Sequence, residues 1–359
     1  MPHTRSSRGF KPKLLALSVA ACFSAPALAN PTGGNVVSGS ASIASSGNTL
    51  TVNNSANAII NWGSFSIGAG EITKFIQNSS ASAVLNRVIG SGGVIPQSII
   101  NGILSSNGQV FLLNPSGVVI GANAFIDVAG LVTSSLNLSN QDFLAGRLRF
   151  TEVPGAGKVR NEGTIETPSG GRVFLIAPNV ENSGVIRSPD GQIVLAAGKS
   201  VELAAENTPF VTVKITADSE QALNVGTLVA RGGSINMHGA LVRQSGVAEA
   251  GGAVLGANGE IRLVASKDLT LTAGSKTTAS GAAGGKVLLQ AHNGTNLIEG
   301  KVEARGDAGK GGTVQALGVR VGVIGSGVID ASGETGGGTV LVGGDYQGKN
   351  PDVQNAQST

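Results

Sequence analysis

Apolar residues in this chain come in short runs, each closed by turn formers. Between residues 101 and 121 a polar turn (Ser105, Ser106, Asn107, Gly108) leads into the apolar run 110–113. An Asn-Pro-Ser-Gly turn follows, and then a second apolar run, 118–120. Each run is too short for a stable helix and is bounded by Gly, Asn, Pro or Ser, which predicts strands joined by tight turns.

The cadence repeats. Downstream of residue 230, Ile235, Ile261, Val287, Val314 and Val340 occupy matching positions, at steps of 26, 26, 27 and 26. A glycine stands two residues before each: Gly233, Gly259, Gly285, Gly312 and Gly338. A second strand keeps pace, residues 301–306 matching 328–333. Further upstream the step shortens to 20 or 21, with residues 171–176 echoed at 191–196 and residues 161–165 echoed at 182–186. The phrase at 108–115 is the one at 171–178.

Periods of 20 to 27 with strands of four or five residues and no helical periodicity predict a solenoid of parallel strands, two or three per coil. Propeller blades need about 40 residues or more, which disfavours that alternative. Val, Ile and Leu would fill the bore. Aromatics concentrate early (Trp62, Phe65, Phe75, Phe111, Phe125, Phe143, Phe150), so residues 30–150 are expected to have a bulkier core or elements packed outside the coil. An end cap is expected over residues 30 to about 52. The repeats continue over 151–350. Residues 351–359 read as a polar tail without a cap, the expected signature of a chain cut mid-array.

Residues 1–29 are set apart. Arg5, Arg8, Lys11 and Lys13 precede the apolar run 14–23, and Ala27-Leu28-Ala29 offers an A-x-A cleavage site. This is a secretory signal pattern, too short for a permanent membrane span. Val19-Ala20-Ala21-Cys22 also allows lipoprotein processing with an acylated Cys22. Removing the leader leaves 25 − 4 = 21 basic against 22 acidic residues, a net charge of −1. That balance gives no electrostatic case for nucleic acid. Cys22 is the only cysteine, so the processed chain has no disulfide. The 55 glycines do not signal disorder, because hydrophobic residues make up 41% of the chain and fall in regular runs.

Candidate chemistry is sparse. His238 and His292 are the only histidines after the leader, too few for a zinc set without carboxylates. No cofactor is called for. Polysaccharide lyases and hydrolases share such solenoids, so a carbohydrate-active enzyme is the alternative. It would need clustered carboxylates, whereas Asp127, Asp142, Asp190 and Asp268 fall in unrelated phases, and Asp307, Asp330 and Asp345 lie near turns. The glycine phrases lack the order of nucleotide-binding loops. Arg305-Gly306-Asp307 spells an integrin tripeptide, but the next repeat reads Ser332-Gly333-Glu334, as an ordinary turn would.

Several long phrases run in a telling order: Ile60-Asn61-Trp62-Gly63-Ser64-Phe65-Ser66-Ile67-Gly68, Lys74-Phe75, Val84-Leu85-Asn86-Arg87-Val88, and residues 106–118. Together, over about residues 33–150, they resemble the N-terminal secretion domain of two-partner secretion exoproteins, the filamentous haemagglutinin family. The downstream repeats resemble the shaft of the same exoproteins. The resemblance implies an all-β, right-handed parallel β-helix with an N-terminal cap and extra-helical β elements. It implies a non-enzymatic, secreted or cell-surface adhesin-type protein, with host-cell or cell-surface receptors met through downstream regions. It also implies a dedicated partner, an outer-membrane β-barrel transporter with POTRA domains. By motif match, the residues expected to carry recognition are Asn114, Pro115, Ser116 and Gly117, then Asn86 and Arg87. A purely structural role for these residues stays open. The family's Asn-Pro-Asn-Gly turn has Ser116 at its third position here.

Overall fold

The computed structural model describes residues 30–203, 219–252 and 259–359. The expected leader, with Cys22 and the A-x-A site, lies outside the described residues.

The chain winds into a parallel β-helix. One column of bore-facing residues shows the winding. Ala58 stands over Val84, then Val110, Leu131, Val173, Ile193, Ile235, Ile261, Val287, Val314 and Val340, each paired with the next by parallel ladders. The repeat registers read at 235, 261, 287, 314 and 340 are therefore the coil registers. All but Val340 are buried in one continuous core. In a typical coil, strands Val159–Asn161, Thr164–Glu166 and Arg172–Ala177 lie on three faces. Each pairs in parallel with the equivalent strand of the next coil.

The N-terminal end is closed differently. Strand Asn35–Ser38 runs antiparallel to Ala58–Trp62, and Ala41–Ser46 runs antiparallel to Thr49–Asn54. These antiparallel strands cover the first coil, which would otherwise expose an open edge.

The early aromatics do both things the sequence allowed. Trp62, Phe65 and Phe75 fill the first coils of the bore. Trp62 meets Phe65 edge-on at 5.7 Å, and Phe65 stacks on Phe75 at 6.4 Å. Phe111, Phe143, Phe150 and Phe174 form a second cluster on the outside of one sheet. A flap covers it, built from strands Asn137–Leu138 and Leu148–Thr151, the helix Asn140–Leu144, and strand Val201–Leu203. Residue 150 thus lies inside a flap strand. The flap accounts for the long step from Leu131 to Val173 (173 − 131 = 42 residues), twice that from Val110 to Leu131.

The C-terminal residues, read from sequence as a polar tail without a cap, are docked on the last coils. Val353 is buried and Ala356 packs on the core. Ser358 pairs with Arg320, and Gln354 donates to the His292 carbonyl at 2.9 Å. Two small apolar residues and backbone pairing suffice to dock a segment that composition alone marks as polar.

Candidate functional site

The Asn-Pro-Ser-Gly turn sits at the bend after strand Ile103–Leu113. Asn114 is fully buried. Its Nδ2 donates to the Pro96 carbonyl (2.8 Å) and to Ser98 Oγ (2.9 Å), while its Oδ1 accepts from the Ser116 N–H (2.9 Å). Its own N–H donates to the Ser134 carbonyl of the next coil at 2.9 Å. Asparagine suits the place because it supplies an Asx turn and two donors at once. The Gly117 N–H closes the turn on the Asn114 carbonyl (2.8 Å). Gly117 has φ +95°, and a Cβ there would lie 2.6 Å from the Lys158 carbonyl oxygen, so no larger residue fits.

Pro115 and Ser116 are half-buried. The Pro115 carbonyl accepts from the Gly157 N–H (2.8 Å), and Ser116 Oγ donates to the Ile95 carbonyl (2.7 Å). The turn therefore fastens the bend of the preceding coil, at 95–98, and that of the following coil, at 157–158. Serine at the third position makes a bond of its own.

Asn86 and Arg87 lie in strand Ala83–Val88, opposite Leu112 and Leu113. They face opposite ways. Asn86 points into the bore, accepting from Trp62 Nε1 (2.9 Å) and donating to the Phe111 carbonyl (3.2 Å). Arg87 points outward into the flap, donating to Asn140 Oδ1 (2.9 Å) and the Leu138 carbonyl (2.7 Å). Burial holds its guanidinium below the usual arginine range. The six candidates are thus neighbours in successive coils but do not converge on one pocket.

Most of the carboxylates singled out in sequence serve a local contact. Asp142, in the first turn of the flap helix, accepts from the N-cap Ser139 Oγ at 2.7 Å and pairs with Arg147 at 2.8 Å. Asp190 accepts from Ser169 Oγ, Asp268 from the Thr295 N–H, and Asp330 from the Ser332 N–H. Asp127 pairs in register with Glu166, whose carboxylate binds Arg187 at 2.7 Å. Among the described residues, no three His, Cys, Asp or Glu side chains gather as a metal set. Arg305 and Asp307 bind each other at 3.0 Å, and Gly306 bridges to Gly281 and Gly333 in the coil ladder. That triplet is a stacked turn.

One feature escaped the sequence reading and another was read only in outline. The first is an amide ladder in the bore. Asn161 donates to Asn182, Asn182 to Asn224 and Asn224 to Gln244, each at 2.8 Å. The signal was an amide two residues before a glycine, at Gly163, Gly184, Gly226 and Gly246. The other is the flap, expected as extra-helical β elements but without its strands or pairing. Its signal was unbroken apolar runs at 110–113, 173–177 and 193–197, which mark strands buried on both faces. From Ser234–Gly239 onward the outward positions turn polar, as at Asn236 and Arg262.

Comparison with known proteins agrees with this geometry. The HMW1 secretion domain of Haemophilus influenzae, a crystal structure, superposes with a TM-score of 0.70 at 28% identity, covering 92% of this chain and 98% of that one. Two heme/hemopexin-binding proteins of Haemophilus influenzae are 31% and 38% identical over 40% and 30% of this chain. The matches take in 19% and 11% of those proteins, so this chain spans a fifth of their length or less. Residues 27–252 match the TPS secretion domain, and the chain belongs to that two-partner secretion family.

Proposed function

We propose that this chain is the export-directing part of a two-partner secretion exoprotein. Residues 1–29 take it across the inner membrane. An outer-membrane β-barrel transporter with POTRA domains then recognises the secretion domain while it is unfolded and passes it outward. The chain winds up at the cell surface, and receptors on host or neighbouring cells are met through regions beyond these coils.

The observation that carries this reading is the polarity of the solenoid. One end is closed by antiparallel strands, and the described bore strands of each later coil pair in parallel with those of the coil before it. A chain emerging N-terminus first can therefore fold as it arrives. Each docked coil buries apolar surface, at about 25 cal/mol per Å², and so opposes back-sliding.

The burial of Asn114 and Gly117 supports recognition before folding. In the finished coil their polar groups are spent on Pro96, Ser98, Ser116, Ser134 and each other. In the unfolded chain Asn114, Pro115, Ser116 and Gly117 are all available, as are Asn86 and Arg87. The domain read by the transporter is proposed to begin at residue 30 and to include at least residues 30–150.

The test is secretion of residues 1–359 with and without the cognate transporter. Export that depends on the transporter is expected. Equal extracellular amounts in both would sink the proposal.

A further inference from the structure

The flap is assembled from parts far apart in the chain. Its central strand, Leu148–Thr151, pairs on one edge with the two residues Asn137–Leu138, close in sequence. On the other edge it pairs with Val201–Leu203: Leu148 faces Leu203, Arg149 faces Glu202, and Phe150 faces Val201. Arg149 binds Glu202 at 2.9 Å across 53 residues.

The floor beneath is split in the same way. Phe111, Leu113 and Val132 come from coils that precede the flap. Phe174, Ile176, Val194 and Ala196 come from coils that follow it. Phe143 and Phe150 are thus made before half of the surface they bury against.

What remains without Val201–Leu203 is slight. A pairing of two residues is marginal in water. Arg87 ties the near end to the coil, but Leu148–Thr151 would present an open edge. The seam on this side is not tightly packed. A cleft of about 620 Å³ opens there, with Phe143, Arg147 and Arg149 on the flap side and Gln109 and Gln192 on the coil side.

We infer that Val201–Leu203 is a closing strap. The flap stays open on the coil until the coils carrying Phe174 and Val194 have wound and the strap has paired with Leu148–Thr151. The cooperative unit of the secretion domain then runs through Leu203, and a boundary at residue 150 would divide it. This dependence holds whether or not a transporter handles the chain, so it can fail independently of the secretion proposal.

Pulse-labelling hydrogen exchange during refolding of the wild-type chain tests the order of events. Amides of 137–151 are expected to gain protection with or after those of Arg172–Ala177 and Gln192–Ala197. Protection of 137–151 ahead of both strands would overturn the inference. At equilibrium, the double substitution Val201→Asp, Leu203→Asp is expected to speed exchange in 137–151 by at least about tenfold while the two coil strands keep their rates. An unchanged flap would overturn the inference, as would equal loss of protection in flap and coil.

Discussion

The indole Nε1 of Trp62 donates to Oδ1 of Asn86, one coil further on, at 2.9 Å inside the bore. Both side chains are buried, and Asn86 passes the bond on to the Phe111 carbonyl. Three coils are joined by one polar thread. Replacing Asn86 with Leu keeps the bulk and orphans the indole N–H, at a cost of about 1–3 kcal/mol. Trp62 is the only tryptophan, so its fluorescence reports the change without interference. A lowered urea midpoint at unchanged slope is expected, and a midpoint equal to wild type would contradict this role.

The turn at Asn114 has a structural role that can be tested apart from the proposed recognition. Asn114→Ala removes two donors and one acceptor and should destabilise the domain by about 2–4 kcal/mol. Ser116→Ala loses one bond at a half-buried site and should cost about 1 kcal/mol. If the turn is also read by the transporter, Asn114→Ala should weaken binding of the urea-unfolded chain to isolated POTRA domains. Undiminished binding would leave the turn with its structural role alone.

The amide ladder should respond non-additively. Asn182→Val alone strands the Nδ2 group of Asn161 and the Oδ1 group of Asn224. A loss of about 2–4 kcal/mol is expected. Changing Asn161, Asn182, Asn224 and Gln244 together to apolar residues removes every unmet side-chain partner, although the Gly163 N–H then loses its bond to Asn161, and should recover part of that loss. Thermal unfolding of the single and quadruple variants decides it: strictly additive losses would argue against a coupled ladder.

His238 is expected to make the fold acid-sensitive. It is buried on strand Ser234–Gly239, and its Nε2 has no hydrogen-bond partner among the described residues. Burial first, then the charges of Arg262 and His292, pull its pKa from 6.5 to about 3. Burial moves His292 in the same direction. The unfolded chain takes up the His238 proton first as pH falls. The stability is therefore intact above about pH 6.5 and lost progressively towards pH 3, at up to about 1.4 kcal/mol per pH unit. His238→Gln should flatten the urea midpoint between pH 6.5 and 5, and an unaltered slope would rule His238 out as the source.

Arg87 holds the flap without holding the coil. Lysine has a single ammonium and cannot reach Asn140 and Leu138 with the same fork. Arg87→Lys should raise trypsin cleavage at Arg147 and Arg149 several-fold, with the Trp62 fluorescence transition unmoved. Parallel loss of both signals would mean that flap and coil unfold together.

The winding was legible because each coil repeats a pattern. Ile235, Ile261, Val287, Val314 and Val340 have the same surroundings, so the same residue types recur. The flap was legible only as an element outside the coil; its strands and pairing were not, because nothing repeats them. The pairing of Phe150 with Val201 is a single long-range event with no echo in sequence. The intervening coil was also hidden. The phrases at 108–113 and 171–176 occupy the same column two coils apart, and residues 130–134 between them spell Gly-Leu-Val-Thr-Ser. The six candidate residues were found as motif words. That Asn86 faces the bore and Arg87 the flap follows from strand alternation, but only once the flap is known to exist.

The column from Ala58 to Val340 has a consequence for how such a rod can be altered. Its axial step is set by the hydrogen-bond spacing between strands, about 4.8 Å, and not by how many residues lie between successive members. Twenty-one residues separate Val110 from Leu131 and 42 separate Leu131 from Val173, yet each gap advances the axis by one strand. The rod is a ruler graduated in coils. An insertion at a corner bulges sideways and leaves the scale unchanged. Excising one whole coil between equivalent corners shortens the scale by a single mark. A surface feature can thus be gained or lost at a corner while whatever is mounted further along keeps its distance from the origin.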